Sequence, residues 1–249
     1  MNTGAERMMQ FGRDVTRFFG RAPKGFSRLD ADGWISLTGE AAADLNMCFV
    51  ASPAGAERVA EYVDIIRPRG VDGVLFAERE AAWVSESADA LGLTAAGEIP
   101  LMERGSEAVQ GRASGAAFRR ATKADVPAAN QVNAQAFGTD EAVTQRIITP
   151  DLLDDGVDIW VAEDGSDIVG TGAFVRTGDH VGIYMMSTRP THQRRGVGRA
   201  LLDAALAHYI DEGAARFTLE ATPSGRHLYE QAGFVTVDLP TAFVISHLR

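Results

Sequence analysis

The feature that most limits what this chain can fold into is the run over residues 180–199, HVGIYMMSTRPTHQRRGVGR. Val181, Ile183 and Met185 alternate with Gly182, Tyr184 and Met186, which is the period-2 pattern of a strand with two different faces. Pro190 ends that strand because it has no N–H to give to a ladder. Gln193-Arg194-Arg195-Gly196-Val197-Gly198 then leads straight into Arg199-Ala200-Leu201-Leu202, the first turn of a helix. Small residues at Gly196, Gly198 and Ala200 leave backbone N–H groups uncovered where that helix begins. Those amides and the positive end of the helix dipole form a site for an anion such as a phosphate or pyrophosphate. The spacing lacks the lysine and the serine or threonine of a Walker loop, and it lacks the three-glycine turn of a dinucleotide fingerprint. A glycine pair can also serve only a tight turn, so the order of elements around it has to decide.

The 249 residues leave room for two domains of about 100–150 residues each. An apolar fraction of 45% and a charged fraction of 23% are ordinary globular values. The formal net charge of −10 argues against a nucleic-acid partner, which needs a positive field. Within this acidic chain, Arg189, Arg194, Arg195 and Arg199 form a local basic cluster, and that contrast points to a small polyanionic ligand. No stretch reaches the length of a transmembrane span. The N-terminus carries Glu6, Arg7, Arg13, Asp14 and Arg17 and no long apolar leader core. The expectation is a cytoplasmic protein with no membrane partner. Cys48, the lone cysteine, lies in the apolar run Leu45-Asn46-Met47-Cys48-Phe49-Val50 and reads as a buried strand residue. There is no clustered metal-ligand spacing, so no metal is expected.

Periodicity divides the chain into two modules. Residues 5–19 read as a helix with Met8, Met9, Phe11, Val15, Phe18 and Phe19 on one side. Asp32-Gly33 opens a hairpin-like region, with strands at 34–38 and 46–50. A helix over 56–66, a strand over 71–77 and a helix over 78–91 that stops at Gly92 complete a small β-β-α-β-α unit. It contains no catalytic constellation. The polar, aperiodic segment 103–114 is the expected linker, giving domains 1–113 and 114–249.

The second module begins with a short strand at 118–121 and a helix capped by Thr122 or Asp125, carrying Val126, Ala129, Val132, Ala136 and Phe137. Strands at 159–162 and 168–175 flank Asp164-Gly165, and Gly178-Asp179 turns into the strand at 180–187. The helix from Val197 has an apolar face of Leu201, Leu202, Ala205, Leu206 and Tyr209, and Gly213 stops it. A strand over 215–221 follows. Thr222-Pro223 reads as an N-cap with proline at the first helical position, opening a helix over 224–232 that ends at Gly233. Strands at 234–237 and 242–246 close the module.

With this order in view, residues 118–246 resemble the GNAT superfamily of acyl-CoA-dependent N-acetyltransferases. The resemblance rests on Gln193-Arg194-Arg195-Gly196-Val197-Gly198 between a strand and a helix. It rests also on the downstream run from Leu219-Glu220-Ala221-Thr222-Pro223 to Leu228-Tyr229-Glu230-Gln231-Ala232-Gly233-Phe234, and on the preceding hairpin pair. It implies an α/β (α+β) fold with a mixed central sheet flanked by helices. The smaller first half is then either a degenerate copy of the same fold, making a tandem, or a separate accessory α/β domain.

The resemblance further implies acetyl-CoA as cosubstrate. Its pantetheine arm would bond to backbone at Met186, Ser187 and Thr188, and its pyrophosphate to Gln193, Arg194, Arg195, Gly196, Val197, Gly198 and Arg199. Tyr229 matches the family's tyrosine that can protonate the departing thiolate. Glu220, at the end of its strand, is the candidate base, acting directly or through water. The family's asparagine at the start of the last helix is replaced here by Thr222-Pro223-Ser224, so the Thr222 and Ser224 hydroxyls are the candidates for its contact. His192 and His227 read as surface residues. The function implied is transfer of acetyl to a primary amine by direct attack in a ternary complex, against a non-catalytic acyl-CoA-binding sensor. Asp140, Glu141, Asp154 and Asp155 are acids that could attract a cationic amine. Neither the acceptor nor the oligomeric state, a homodimer included, is legible in the sequence.

Overall fold

The computed structural model describes residues 3–51, 55–78, 83–109 and 115–248, without the side chains of 83–86. In chain order, the first elements are α1 (Gly4–Phe18), β1 (Phe26–Asp30), β2 (Gly33–Leu37), β3 (Asn46–Val50), α2 (Gly55–Ile66), β4 (Gly73–Ala77), α3 (Trp83–Ala90) and β5 (Thr94–Glu98). Next come β6 (Leu101–Gly105), β7 (Ala117–Arg120), α4 (Val126–Phe137), α5 (Glu141–Ile147), β8 (Val157–Asp164), β9 (Asp167–Thr177) and β10 (His180–Thr188). The chain ends with α6 (Val197–Asp211), β11 (Arg216–Glu220), α7 (Arg226–Gln231), β12 (Val235–Asp238) and β13 (Thr241–Ile245).

Two mixed sheets result, with orders β1-β2-β3-β4-β13-β5 and β12-β6-β11-β10-β9-β8-β7. The chain forms two compact units, residues 1–101 with 236–249, and residues 102–235. This differs from the expected division at 113/114. The physical reason is that the last strand completes the first sheet: β13 pairs antiparallel with both β4 and β5. Phe243 and Ile245 are buried there with Leu75, Val63 and Ile66. The segment expected as a linker, 103–114, starts inside β6, whose Leu101, Met102 and Arg104 are buried. Glu103 and Arg104 interrupt its apolar pattern, which hides the strand in the sequence. Residues 110–114, the rest of that segment, lie outside the described residues.

In the first unit, α1 opens with a reciprocal cap. The Thr3 hydroxyl accepts from Glu6 N–H, and the Glu6 carboxylate accepts from Thr3 N–H. Gly12 lets this helix lie against β2, since a Cβ there would sit 2.2 Å from Trp34 Cδ1. Trp34 Nε1–H then donates to Met8 O at 2.8 Å. Cys48 is buried in β3, as the apolar run predicts, and burial pushes its thiol far up. The strand β1, which the sequence shows only as a hairpin-like region, pairs with β2 across the turn containing Asp32.

In the second unit, β7, β8, β9 and β10 pair antiparallel in sequence, and β11 joins β10 in parallel after the α6 crossover. The α6 face of Leu201, Leu202, Ala205, Leu206 and Tyr209 packs with Phe174, Val181 and Phe217 as one core. Tyr209 Oη–H donates to Asp158 Oδ2 at 2.7 Å, satisfying a buried hydroxyl. Helix α7 begins at Arg226 rather than Ser224. Residues 223–225 form a turn in which Gly225 N–H donates to Thr222 O at 3.0 Å.

Candidate active site

Two opposing constraints shape β10. Against β9, its pairing runs from His180↔Thr177 to Tyr184↔Ala173 and resumes at Ser187↔Thr171. Met185 and Met186 therefore face Gly172 together, a β-bulge that bends the strand. Met185 has φ +52°, an uncommon left-handed conformation for a side-chain-bearing residue. Glycine at 172 makes the room, because a Cβ there would lie 2.3 Å from Met186 Sδ. Against β11, the parallel pairing covers only His180↔Arg216, Val181↔Phe217 and Gly182↔Thr218. Beyond Gly182 the two strands part, so the second half of β10 has no β11 partner. Such an opening accepts an extended amide chain as an added strand.

The glycine loop stands at the end of β10. Gly196 is the N-cap of α6 at φ +81°, with no side chain capping the helix amides. A Cβ at Gly196 would meet nothing within 4 Å, so glycine here serves the left-handed backbone and leaves the space before the helix open. Gly198 answers to packing instead, since its Cβ would lie 3.1 Å from Thr188 Oγ1 and 3.5 Å from Leu228 Cδ1. Those contacts bring the end of β10, the start of α6 and α7 to one place. Gln193 Nε2–H donates to Thr188 O at 3.2 Å and closes the loop. Arg194, itself at φ +60°, and Arg195 are exposed.

Strand β11 ends at Glu220, and α7 carries Tyr229. Glu220 is half-buried, and its Oε1 is buried without a hydrogen-bond partner. Burial raises its carboxyl from the ordinary 4.5 to about 8. The Tyr229 ring meets Phe234 edge-on at 6.0 Å, and burial pushes its hydroxyl up to about 12. Gly225 is held between Thr222 and Tyr229, with its would-be Cβ 3.2 Å from both Thr222 Oγ1 and Tyr229 Cε2. A strand end, a tight turn and a helix thus fix Glu220, Thr222 and Tyr229 in sequence.

Residues 123–244 match the family model described as an acetyltransferase (GNAT) domain. The chain carries a GNAT domain. No curated protein matches it at the sequence level. Among solved structures, a GCN5-related N-acetyltransferase from Kribbella flavida is similar at 16% identity, with 95% of each chain covered and a TM-score of 0.66. A GCN5-related N-acetyltransferase from Sphaerobacter thermophilus is similar at 16% identity over 87% of this chain and 81% of that one, with a TM-score of 0.63. A functionally unknown conserved protein from Staphylococcus epidermidis reaches a TM-score of 0.65 at 15% identity, covering 89% and 94%. These likenesses extend the fold over nearly the whole chain, the first half included, consistent with a tandem arrangement.

Within the GNAT domain, several expected side chains are engaged by partners elsewhere in the chain. Arg199 Nε donates to both carboxylate oxygens of buried Asp203, at 2.8 and 2.9 Å, so its side chain is held along the helix, while its Nη1 is buried without a hydrogen-bond partner. Arg189 donates to Ile168 O at 3.1 Å and is tied to β9. The Ser187 side chain is turned inward to Asn133, leaving its backbone for the cleft. Thr222 and Ser224 hydroxyls lie 3.2 Å apart, and Thr222 Oγ1 also accepts from Gly225 N–H at 3.2 Å. They stabilise the turn that delivers α7.

The acids considered for an amine have other partners. Asp140 caps α5 by accepting from Ala142 N–H at 2.9 Å, and Asp154 pairs with Lys123 at 2.5 Å. His192 is half-buried, 3.4 Å from Asp164, whereas His227 is exposed on α7. Among the described residues, no group of three or more His, Cys, Asp or Glu side chains could hold a metal. No helix among them is long and apolar enough to cross a membrane. Asn133 and Gly172 were not legible as site residues. The one available signal for Asn133 was a polar residue beside the apolar positions Val132 and Ala129 of its helix.

Proposed function

We propose that this chain is an N-acetyltransferase that moves acetyl from acetyl-CoA to a primary amine by direct attack in a ternary complex. The observation that carries this reading is the parting of β10 and β11 beyond Gly182, with the unpartnered carboxylate of Glu220 ending one strand and the uncapped, glycine-led start of α6 following the other. Bound acetyl-CoA would supply an activated thioester. Backbone groups of Met186, Ser187 and Thr188 would hold its amide arm as an added strand. The backbone amides from Arg194 to Arg199, in the loop and first turn of α6, with the exposed guanidinium groups of Arg194 and Arg195, would hold its pyrophosphate.

Glu220 in its ionised form takes the proton from the attacking amine. A proton affinity raised to about 8 makes it a stronger base than an ordinary carboxylate. The amine nitrogen bonds to the acetyl carbon, the carbon–sulfur bond breaks, and Tyr229 gives its proton to the departing sulfur. Direct attack is supported by Cys48, which is buried in the first unit with its thiol pushed far up, and so unsuited to carrying an acetyl group.

The test is calorimetric titration with acetyl-CoA, beside a Gly196→Glu variant, followed by a panel of primary amines assayed for free CoA thiol. Micromolar binding lost in the variant, with amine-dependent thiol release in the parent, is the expected result. Absence of acetyl-CoA binding by the parent overturns the reading. Binding with no thiol release from any amine would leave a coenzyme sensor instead of an enzyme.

A further inference from the structure

The bulge that opens the cleft is tied to a helix on the sheet's face. Ser187 resumes the β9 ladder after the bulge, opposite Thr171, and its side chain is buried. Its hydroxyl donates to Asn133 Oδ1 at 2.6 Å, and Ser187 Oγ also lies 3.2 Å from Met185 O, across the bulged residues. Asn133, on α4, is 2% exposed, so this bond is shielded from water and no solvent molecule replaces it. Met185 sits at φ +52°, a conformation that persists only where its surroundings fix it.

We infer that Asn133 is a positioning residue for the coenzyme cleft, acting through Ser187 to hold the β10 bulge and thereby the parting of β10 from β11. The inference rests on the proposed coenzyme reading, but it concerns this chain's own residues. Three observations converge on it. Gly172 clears the volume that Met186 occupies, which permits the bulge but does not fix it. The Asn133–Ser187 bond is the buried polar contact that locks the strand just past the bulge. The residues it locks, 185–188, lie in the stretch beyond Gly182 that has no β11 partner and would present backbone to an extended amide chain. If the bond is cut, β10 is free to relax toward regular pairing, and the edge closes or loses its register.

The experiment compares acetyl-CoA affinity and thermal stability across Ser187→Ala, Asn133→Ala, the double variant and Ser187→Thr. A control, Thr144→Val, removes a different buried hydroxyl that donates to Asn130 O and Glu141 O. Ser187→Ala removes one oxygen and keeps the fold testable. The expected result is a weakening of acetyl-CoA binding by about tenfold in either single variant, no further loss in the double variant, and recovery in Ser187→Thr. Thr144→Val should lose melting temperature while keeping affinity within about twofold. The inference is overturned if the Ser187 and Asn133 variants lose only stability, as the control does, or if their effects on affinity add. If the parent protein itself does not bind acetyl-CoA, the failure belongs to the coenzyme reading, and the inference resting on it falls with it.

Discussion

Replacing Glu220 by glutamine should make the protein more stable in alkaline solution while removing its activity. The carboxyl is raised from 4.5 to about 8 by burial, with no partner for Oε1. Between those values the folded chain holds a proton that the unfolded chain has released, so stability falls as pH rises. The contribution is fully present below about 4.5 and gone above about 8. At ~1.4 kcal/mol for each tenfold in proton affinity, the rise sets a ceiling of about 5 kcal/mol on this loss. Glutamine imitates the protonated form and carries no such slope.

Urea unfolding at a series of pH values between 5 and 9 would therefore show parent and Glu220→Gln alike near pH 5. They should diverge steadily, with the variant more stable by a few kcal/mol at pH 9. Thiol release tests the same group from the other side. At pH 7 only about a tenth of a carboxyl with this affinity is ionised, so the parent's rate should climb close to tenfold per pH unit up to neutrality and level off near pH 8. The stability curves do not depend on the acceptor's own titration, which makes them the decisive measurement. Parallel curves for parent and variant would refute a raised Glu220, and with it the assignment of this residue as the base.

Two further outcomes follow from the geometry. Tyr229→Phe should lower thiol release by about a hundredfold or more while acetyl-CoA affinity stays within about twofold, because the ring still packs against Phe234 and only the proton donor is gone; calorimetry beside a thiol assay separates the two. Removing residues 241–249 should unfold the first unit, since β5 has β13 as its neighbour in the sheet and burial of Phe243 and Ile245 is worth about 1.5–3 kcal/mol each; hydrogen exchange at 46–50 and 73–77 would report it, and retained protection there would refute the role given to the last strand.

Much of this architecture is legible because local patterns and the global fold agree. The strand at His180, the Pro190 stop, the Gly196 loop and the apolar face of α6 are all local signals, and each lies where its pattern predicts. What escaped the sequence is non-local. Thr241–Ile245 reads correctly as a strand, but only the sheet shows that β4 and β5 are its partners. Leu101–Gly105 is half polar and gains its stability from tertiary neighbours that no window of residues displays. Arg199 looks like a phosphate ligand by position, yet Asp203 one turn later competes for it, an i,i+4 pairing visible in the sequence but undecidable until both side chains are placed. The bulge at Met185 and Met186 interrupts an alternation that looked regular, and Ser187 therefore turns inward.

The two sheets also predict how many coenzymes the chain can hold. Both contain a parallel strand pair joined by a helical crossover: β3 with β4 around α2, and β10 with β11 around α6. In the second unit the pairing stops at Gly182↔Thr218 and the strands separate. In the first unit it continues through Met47↔Val74, Cys48↔Leu75, Phe49↔Phe76 and Val50↔Ala77, to the last residue of each strand. All five residues of β3 are buried, so no backbone edge is free between it and β4 for an inserted chain. A ligand entering there would have to break those ladder bonds and expose Phe49 and Phe76, at a cost of several kcal/mol. Titration with acetyl-CoA should therefore saturate at one equivalent per chain, and Gly196→Glu should abolish that one event. A second equivalent surviving in the variant would show that the first unit opens after all, and that continuous pairing is no guide to which copy of the fold binds.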